Sequence, residues 1–598
     1  MGTVENLLGN EAIARGAWEA GVRVAVAYPG TPSTEILEAL GRFSPEEVRA
    51  EWAANEKTAF DIAAGASFAG RRALCAMKHV GLNVALDSLM SLTHLATNGG
   101  LVVAVADDPG MHSSQNEQDT RILARFACVP VLEPADAQEA LDYTKLAFTL
   151  SERFRLPVIL RSTTRLSHTR SLVRLGARHE GPELGFPDDP STTVALPAHA
   201  RASRARVLAR EKEIGAWFDD SPLTRVERGD ERIGIVTVGI TYAYVKEVLP
   251  HASVLKLAAS WPLPRKTIRS FAQSVERLFV VEELEPVVEE QLLAMGIACE
   301  GKTWFPRSGE LSPGRVRRGF VAAGVLADRD GRAPLAAEAM PRPPLLCAGC
   351  PHMGSYMALR AVGARVCGDI GCYTLAAIEP LKAIDSCVAM GASIGNAVGL
   401  ALARSESRPI VATIGDSTFL HAGIPPLIDA IYMQADITVV ILDNQITAMT
   451  GGQHHAASGA SLRGEPRPRV DFVELCRALG ASWVRRVDAY DLATLYQTVR
   501  EATEYRGVAV IVAERPCVLD PVRIRGTPLE VERENCIACQ MCMNLGCPAI
   551  LWDDSSYDGR RRVRIEPSVC IGCTLCAQIC PSNCIRVPEE GTAEPAGV

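Results

Sequence analysis

PIVATIGDSTFLHAG, residues 409–423, and DITVVILDNQITAMTGGQ, residues 436–453, decide the fold of the second half of this chain. Each opens as a short apolar run rich in β-branched residues and breaks at polar residues, Gly415-Asp416-Ser417 in the first and Asp443-Asn444-Gln445 in the second. With VAVIVAE at 508–514 they supply the strands of a parallel α/β domain. Asp416 and Asn444, 28 positions apart, therefore stand at the ends of successive strands.

Working outward, the same alternation recurs toward the N-terminus. Val22 to Ala27, Leu74 to Met77, Leu101 to Ala106 and Leu156 to Leu160 are apolar β-rich runs, spaced by helical segments such as Glu56 to Phe68. After Arg165 a polar stretch rich in Arg, Pro and Asp runs to about Glu231, which reads as a long connection carrying one helix. IGIVTVG from Ile233, SVLKLAASWPLP and RLFVVEELEP then form a smaller α/β unit that ends before the Pro-rich Pro341 to Leu346. A chain of 598 residues exceeds what one core supports. Four domains are expected: 1–190 and 341–525 as parallel α/β domains, 191–340 as linker plus intervening α/β domain, and 526–598 as a separate tail.

Composition narrows the function classes. A net charge of -8 offers no broad basic surface for nucleic acid. No run of about 18 apolar residues spans a membrane, and the N-terminus lacks a basic start followed by an apolar run, so a cytoplasmic protein is expected. Nineteen cysteines would be odd in a reducing compartment unless many bind metal, and nine of them lie between Cys536 and Cys584.

In that tail Cys536, Cys539, Cys542 and Cys547-Pro548 are followed by Cys570, Cys573, Cys576 and Cys580-Pro581, the double pattern of a bacterial two-cluster ferredoxin. The crossed arrangement of that pattern predicts one [4Fe-4S] cluster on Cys536, Cys539, Cys542 and Cys580, and a second on Cys570, Cys573, Cys576 and Cys547. Zinc is the competing reading, but these two runs carry more ligands than a tetrahedral site needs. The first motif has four residues before its last Cys where three are usual, and Cys584 is left over as a small packed side chain.

The strand-end pair resembles the thiamine diphosphate motif. A Mg²⁺ bridging a diphosphate takes hard oxygen ligands, here Asp416, Asn444 and the carbonyl of Ile446, with Gly415 and Ser417 beside the cofactor. Ser417 and Gln445 depart from the commoner Gly-Asp-Gly and Asn-Asn forms, while Thr450-Gly451-Gly452-Gln453 resembles the segment that follows the motif in pyruvate:ferredoxin oxidoreductases. No GxGxxG opens a strand-helix unit, so a nicotinamide or flavin site has no support.

Added to these, Tyr28-Pro29-Gly30-Thr31-Pro32-Ser33, MKHVGLN at 77–83, ADDPGMHSSQNEQDTR at 106–121, CAGCPH at 347–352 and GDIGCYTL at 368–375 make the whole chain resemble the alpha subunits of indolepyruvate ferredoxin oxidoreductases, in the thiamine-dependent 2-oxoacid:ferredoxin oxidoreductase superfamily. The resemblance implies two thiamine-binding domains around a transketolase C-terminal-like domain, with the two-cluster tail last. It implies coenzyme A-dependent oxidative decarboxylation of indolepyruvate and other aryl pyruvates to aryl-acetyl-CoA and CO₂. It further implies that electrons pass to ferredoxin and that a smaller beta subunit completes an alpha2beta2 assembly.

Glu56, in Asn55-Glu56-Lys57, matches the carboxylate that activates the thiamine aminopyrimidine at N1′; its plain alternative is a helix-start Glu favoured by the dipole. Thr31, Lys78 and His79 are the expected substrate contacts, against the reading of Lys78 as a solvated strand end and His79 as a satisfied loop residue. Similar positions in related oxidoreductases hold a third cluster, for which Cys347, Cys350, Cys372 and Cys517 are the candidates here, against structural cysteines. Three rival functions remain: a pyruvate or 2-oxoglutarate enzyme, an electron-transfer subunit with a vestigial thiamine fold, and a non-oxidative decarboxylase releasing an aldehyde.

Overall fold

A computed structural model describes residues 3–328, 344–403, 406–520 and 525–588. The chain parts into two compact units, residues 1–337 and 338–598; of the Pro-rich segment expected to end a domain, residues 341–343 lie outside the described residues. Among the described residues no helix is long and apolar enough to cross a membrane.

The first unit is built on a seven-stranded sheet in the order Ala259–Trp261, Val131–Leu132, Val158–Thr163, Leu101–Asp107, Ala73–Lys78, Val24–Ala27, Arg49–Trp52. All neighbours are parallel except the first pair. Every residue of Ala73–Lys78 and Leu101–Asp107 is buried, as expected of central strands covered by helices on both faces. The chain reverses its direction of travel across the sheet at Val24–Ala27, which leaves a crevice at the carboxyl ends of that strand and Ala73–Lys78, where open α/β sheets bind ligands.

A second sheet holds Arg277–Val281, Asp230–Val238 and Ala252–Leu257 in parallel, with Arg225–Glu227 antiparallel at the edge. The run SVLKLAASWPLP splits between the two sheets. Ala252–Leu257 stays in the smaller one, while Ala259–Trp261 pairs antiparallel with Val131–Leu132 and becomes an edge of the larger one. The polar stretch after Arg165 contains the 23-residue helix Pro197–Asp219, the short helix Pro190–Thr193, and the strand Arg170–Arg174. That strand pairs with Val4–Leu8, a partner too distant in sequence for a local pattern to announce.

The second unit carries a five-stranded, all-parallel sheet in the order Arg365–Cys367, Ile410–Gly415, Ile437–Asp443, Val508–Glu514, Trp483–Asp488. Its tail has little regular structure. Two antiparallel ladders, Glu530–Val531 with Ile585–Arg586 and Ile550–Tyr557 with Arg560–Ile565, frame turns and short helices that present the cysteines.

Candidate functional site

Three adjacent strand ends of the first unit converge. The Tyr28 to Ser33 loop folds back on itself: Ser33 donates to the Gly30 carbonyl through N–H and Oγ at 2.8 and 2.7 Å, and Gly30 N–H donates to Thr34 Oγ1 at 3.0 Å. Lys78 ends the next strand with its stem against Gly30, where an added Cβ would lie 3.3 Å from Lys78 Cγ and Cδ. Its Nζ donates to the Ser113 carbonyl at 3.1 Å, and Ser113 Oγ reaches the carbonyl of Thr31 at 3.3 Å, so the half-buried Thr31 and Lys78 share one neighbour. Burial pushes the Lys78 ammonium below its ordinary value against the opposing pull of Asp108 and Glu56.

Glu56 opens the helix Glu56–Phe68, with Asn55 capping it by accepting from Thr58 N–H at 2.8 Å. Its side chain is 5% exposed and lies across Gly81, where a Cβ would sit 2.6 Å from Oε1. Only glycine at 81 leaves room for this carboxylate. His79 is buried, with Nε2 3.3 Å from the Asn116 carbonyl and Nδ1 without a hydrogen-bond partner. Burial lowers its pKa, with Asp107 pulling the other way, so the ring is neutral. Glu56, Lys78, His79 and Thr31 thus lie at one crevice.

Sequence reading passed over Asp108, which holds that crevice together. It accepts from Ser113 N–H at 2.8 Å, Ser114 Oγ at 2.7 Å and Thr164 Oγ1 at 2.7 Å. Burial raises its pKa, but those hydrogen bonds outweigh it and leave the carboxylate below its usual range. The quoted ADDPGMHSS run contained the signal, a carboxylate followed five and six residues later by hydroxyls.

In the second unit Asp416 sits just past the strand Ile410–Gly415, 3% exposed. Its Oδ1 accepts from Ser417 N–H and its Oδ2 from Gln445 N–H, both at 2.7 Å, which locks the two motif loops together. Asn444 Oδ1 accepts from Ile446 N–H at 3.2 Å, and Thr447 Oγ1 donates to Ser417 Oγ at 3.1 Å. Gly415 fits under the Tyr373 ring, where a Cβ would approach to 2.8 Å, and its N–H donates to Tyr373 Oη at 2.9 Å. Burial, then repulsion from Asp416 and Glu514, pushes the Asp443 carboxyl up to about 7. A buried carboxylate, an amide and a backbone carbonyl on touching loops suit a divalent cation carrying a diphosphate.

Two more residues that sequence reading missed touch this motif. His455 Nε2 lies 3.3 Å from Asp416 Oδ2, and His352 Nε2 lies 3.4 Å from Asn444 Nδ2. Burial holds the His352 ring down at about 4.

The four scattered cysteines converge beside this site. Burial, then the neighbouring Cys347, Cys372 and Cys517, push the Cys350 thiol up; burial, then Cys517 and Cys347, push Cys372 up to about 11. Each segment also touches the motif. Cys517 N–H donates to the Asn444 carbonyl at 3.0 Å, Cys350 precedes His352 by two residues, and Cys372 immediately precedes Tyr373.

The tail gathers two further quartets. Cys542 feels Cys539, Cys580 and Cys536, and Cys576 feels Cys573, Cys547 and Cys570. The first quartet lines a cavity. Gly349, inside the CAGC loop, packs on Ile571 and Cys573, where a Cβ would come within 2.3 and 3.2 Å, and Cys576 in turn feels Cys542. Three thiol quartets therefore follow one another from the Asp416–Asn444 loops outward. Among the described residues no three His, Cys, Asp or Glu side chains close on one point as ligands of a single ion do.

Comparison with known proteins agrees in each region. Residues 15–184 match the family model "Pyruvate flavodoxin/ferredoxin oxidoreductase, thiamine diP-bdg", residues 369–513 match "Thiamine pyrophosphate enzyme, C-terminal TPP binding domain", and residues 563–586 match "4Fe-4S binding domain". The indolepyruvate oxidoreductase subunit IorA of Archaeoglobus fulgidus is 44% identical, with 97% of each chain covered. That of Pyrococcus horikoshii is 42% identical over 98% of this chain and 97% of its own. The 2-oxoglutarate synthase subunit KorA of Methanothermobacter marburgensis is 25% identical over only 48% of this chain.

Proposed function

We propose, from the premise that this chain belongs to the family of indolepyruvate oxidoreductase IorA subunits, that it oxidatively decarboxylates indolepyruvate and other aryl pyruvates, with coenzyme A accepting the acyl group and ferredoxin the electrons. The chain is a thiamine-dependent oxidoreductase subunit with an iron-sulfur acceptor, and the name of its relatives as subunits implies a partner. An alpha2beta2 assembly with a smaller beta subunit belongs to the same reading.

Bound thiamine diphosphate supplies the electron sink that decarboxylation of a 2-oxoacid needs. Asp416, Asn444 and the Ile446 carbonyl would hold its Mg²⁺, with Gly415 and Ser417 beside the diphosphate. Glu56 would exchange a proton at N1′ of the aminopyrimidine, a task that suits a buried carboxylate fixed at a capped helix start. Lys78, an ammonium already partly stripped of water, would take the substrate carboxylate, with the neutral His79 and Thr31 beside it.

One observation carries the oxidative reading over a simple decarboxylase. The Cys347, Cys350, Cys372 and Cys517 quartet is joined to the cofactor loops by a single backbone hydrogen bond, from Cys517 to Asn444, and packs through Gly349 against the quartet of Cys547, Cys570, Cys573 and Cys576. A third cluster there would place electron acceptors in series from the cofactor to the quartet of Cys536, Cys539, Cys542 and Cys580.

The test is coenzyme A-dependent reduction of ferredoxin or a viologen dye by the anaerobically purified complex, with indolepyruvate, phenylpyruvate, pyruvate and 2-oxoglutarate in parallel. Aryl substrates are expected to win, and Glu56→Gln to cost on the order of 100-fold or more in kcat with thiamine still bound. Preference for pyruvate or 2-oxoglutarate would reject the aryl reading. Iron near eight per chain instead of about twelve would reject the third cluster.

A further inference from the structure

The cavity framed by Cys536, Cys539, Cys542 and Cys580 has a fifth thiol in its wall, Cys584. Cys584 Sγ lies 3.5 Å from Cys580 Sγ, and Cys536 also acts on it electrostatically. Local geometry fixes this approach. Asn583, at φ 50°, turns the chain back after Cys580-Pro581-Ser582, and Asn583 N–H closes the turn on the Cys580 carbonyl at 3.2 Å. On the far side, Glu532 N–H donates to the Cys584 carbonyl at 2.8 Å, and Ile585 enters the ladder opposite Val531. Cys584 is therefore anchored from both sides with its sulfur against a ligand sulfur.

We propose that Cys584 is a reserve ligand of this cluster: it donates its S–H to the Cys580 thiolate and takes over that iron when Cys580 is removed. The proposal rests on the assignment of the cluster to Cys536, Cys539, Cys542 and Cys580. The exchange is balanced without any oxidant. With the Cys580 sulfur gone, the bond from that iron to Cys584 Sγ forms and the Cys584 proton passes to solvent. In the resting arrangement the S–H donor stabilises the more negative, reduced cluster, because hydrogen bonds to ligand sulfurs tune its potential.

Iron content and the low-temperature EPR spectrum of the dithionite-reduced full complex decide it. Cys539→Ala is expected to lose about four irons. Cys580→Ala should keep them with an altered EPR signal, and the double variant Cys580→Ala/Cys584→Ala should lose them. Loss of iron from Cys580→Ala equal to that from Cys539→Ala overturns the reserve ligand and leaves the assignment intact. Full iron in Cys539→Ala overturns the assignment and the proposal with it. A second measurement leaves all four primary ligands in place and does not depend on how Cys580→Ala folds. Cys584→Ala should lower the midpoint potential of this cluster, and Cys584→Ser, whose hydroxyl also donates, should restore it. An unchanged potential in Cys584→Ala would overturn the sulfur contact and the proposal.

Discussion

The two units bury charge in opposite ways. In the first, Arg161 Nε donates to Asp107 at 2.7 Å and its Nη1 pairs with Glu133, while Arg121 meets Asp119 and Glu282 at 2.6 Å each. All six side chains are buried, and the carboxylates are answered by guanidinium groups of the same unit. In the second, Asp416, Asp443 and Glu514 crowd together, with Arg469 3.7 Å from Asp443 and 3.3 Å from Glu514, and three cysteine quartets repel as their thiols ionise. The first unit thus pairs these buried carboxylates with its own guanidinium groups, whereas the thiols gathered in the second have no such partners of their own and would be completed by metal. Removing one partner of a buried pair leaves an uncompensated charge, and thiolates gathered without metal are in the same position.

Metal removal should expose this difference most strongly. Stripping iron and Mg²⁺ anaerobically is expected to abolish hydrogen-exchange protection across residues 525–588, whose ladders are short, while protection of the sheet from Val24 to Thr163 stays within a few-fold of the loaded protein. Equal loss in both units would break the comparison. The converse variant, Arg161→Met, leaves Asp107 and Glu133 buried without their partner and should cost about 3–5 kcal/mol in the first unit. Chemical denaturation with and without bound metal should give the same loss.

A smaller effect is expected at Glu283, which sharpens the comparison because it is the less compensated carboxyl of the first unit. Burial pushes it up from its ordinary 4.5 to about 7. Below about pH 4.5 both folded and unfolded chains hold the proton and nothing is lost. Between the two values the unfolded chain has released its proton and the folded one has not, so stability falls as pH rises, and above about 7 the full penalty stands. From pH 6 to pH 8 this amounts to about 1–2 kcal/mol. Glu283→Gln, which still accepts from Leu311 N–H, should remove that part of the pH dependence in thermal melts. Parallel melting curves for both proteins across that range would show that the group is already compensated.

These contrasts bear on how much of the molecule was legible before folding. The helix Glu56–Phe68 and the strands near Leu74, Leu101, Ile410, Ile437 and Val508 follow from local apolar period and turn residues, which act within a few positions. The strand Ala259–Trp261 did not follow, because its sequence is equally at home in either sheet and only its pairing with Val131–Leu132 assigns it. Asp108, Tyr373, His352 and His455 escaped for a related reason. Each acts through a partner at the end of another strand or loop, and nothing in its own neighbourhood of sequence names that partner.

By itself the sequence determined the α/β class, the strand-end Asp416 and Asn444, and the eight tail cysteines, since all of these are written in spacing and period. Tertiary structure alone decided that Cys347, Cys350, Cys372 and Cys517 converge beside the Asn444 loop, that Glu56 lies across Gly81, and that Cys584 touches Cys580. Local signals set φ, ψ and the buried face of an element. Which distant elements then share a neighbour depends on chain closure and packing over the whole sheet, and no short stretch of residues encodes that.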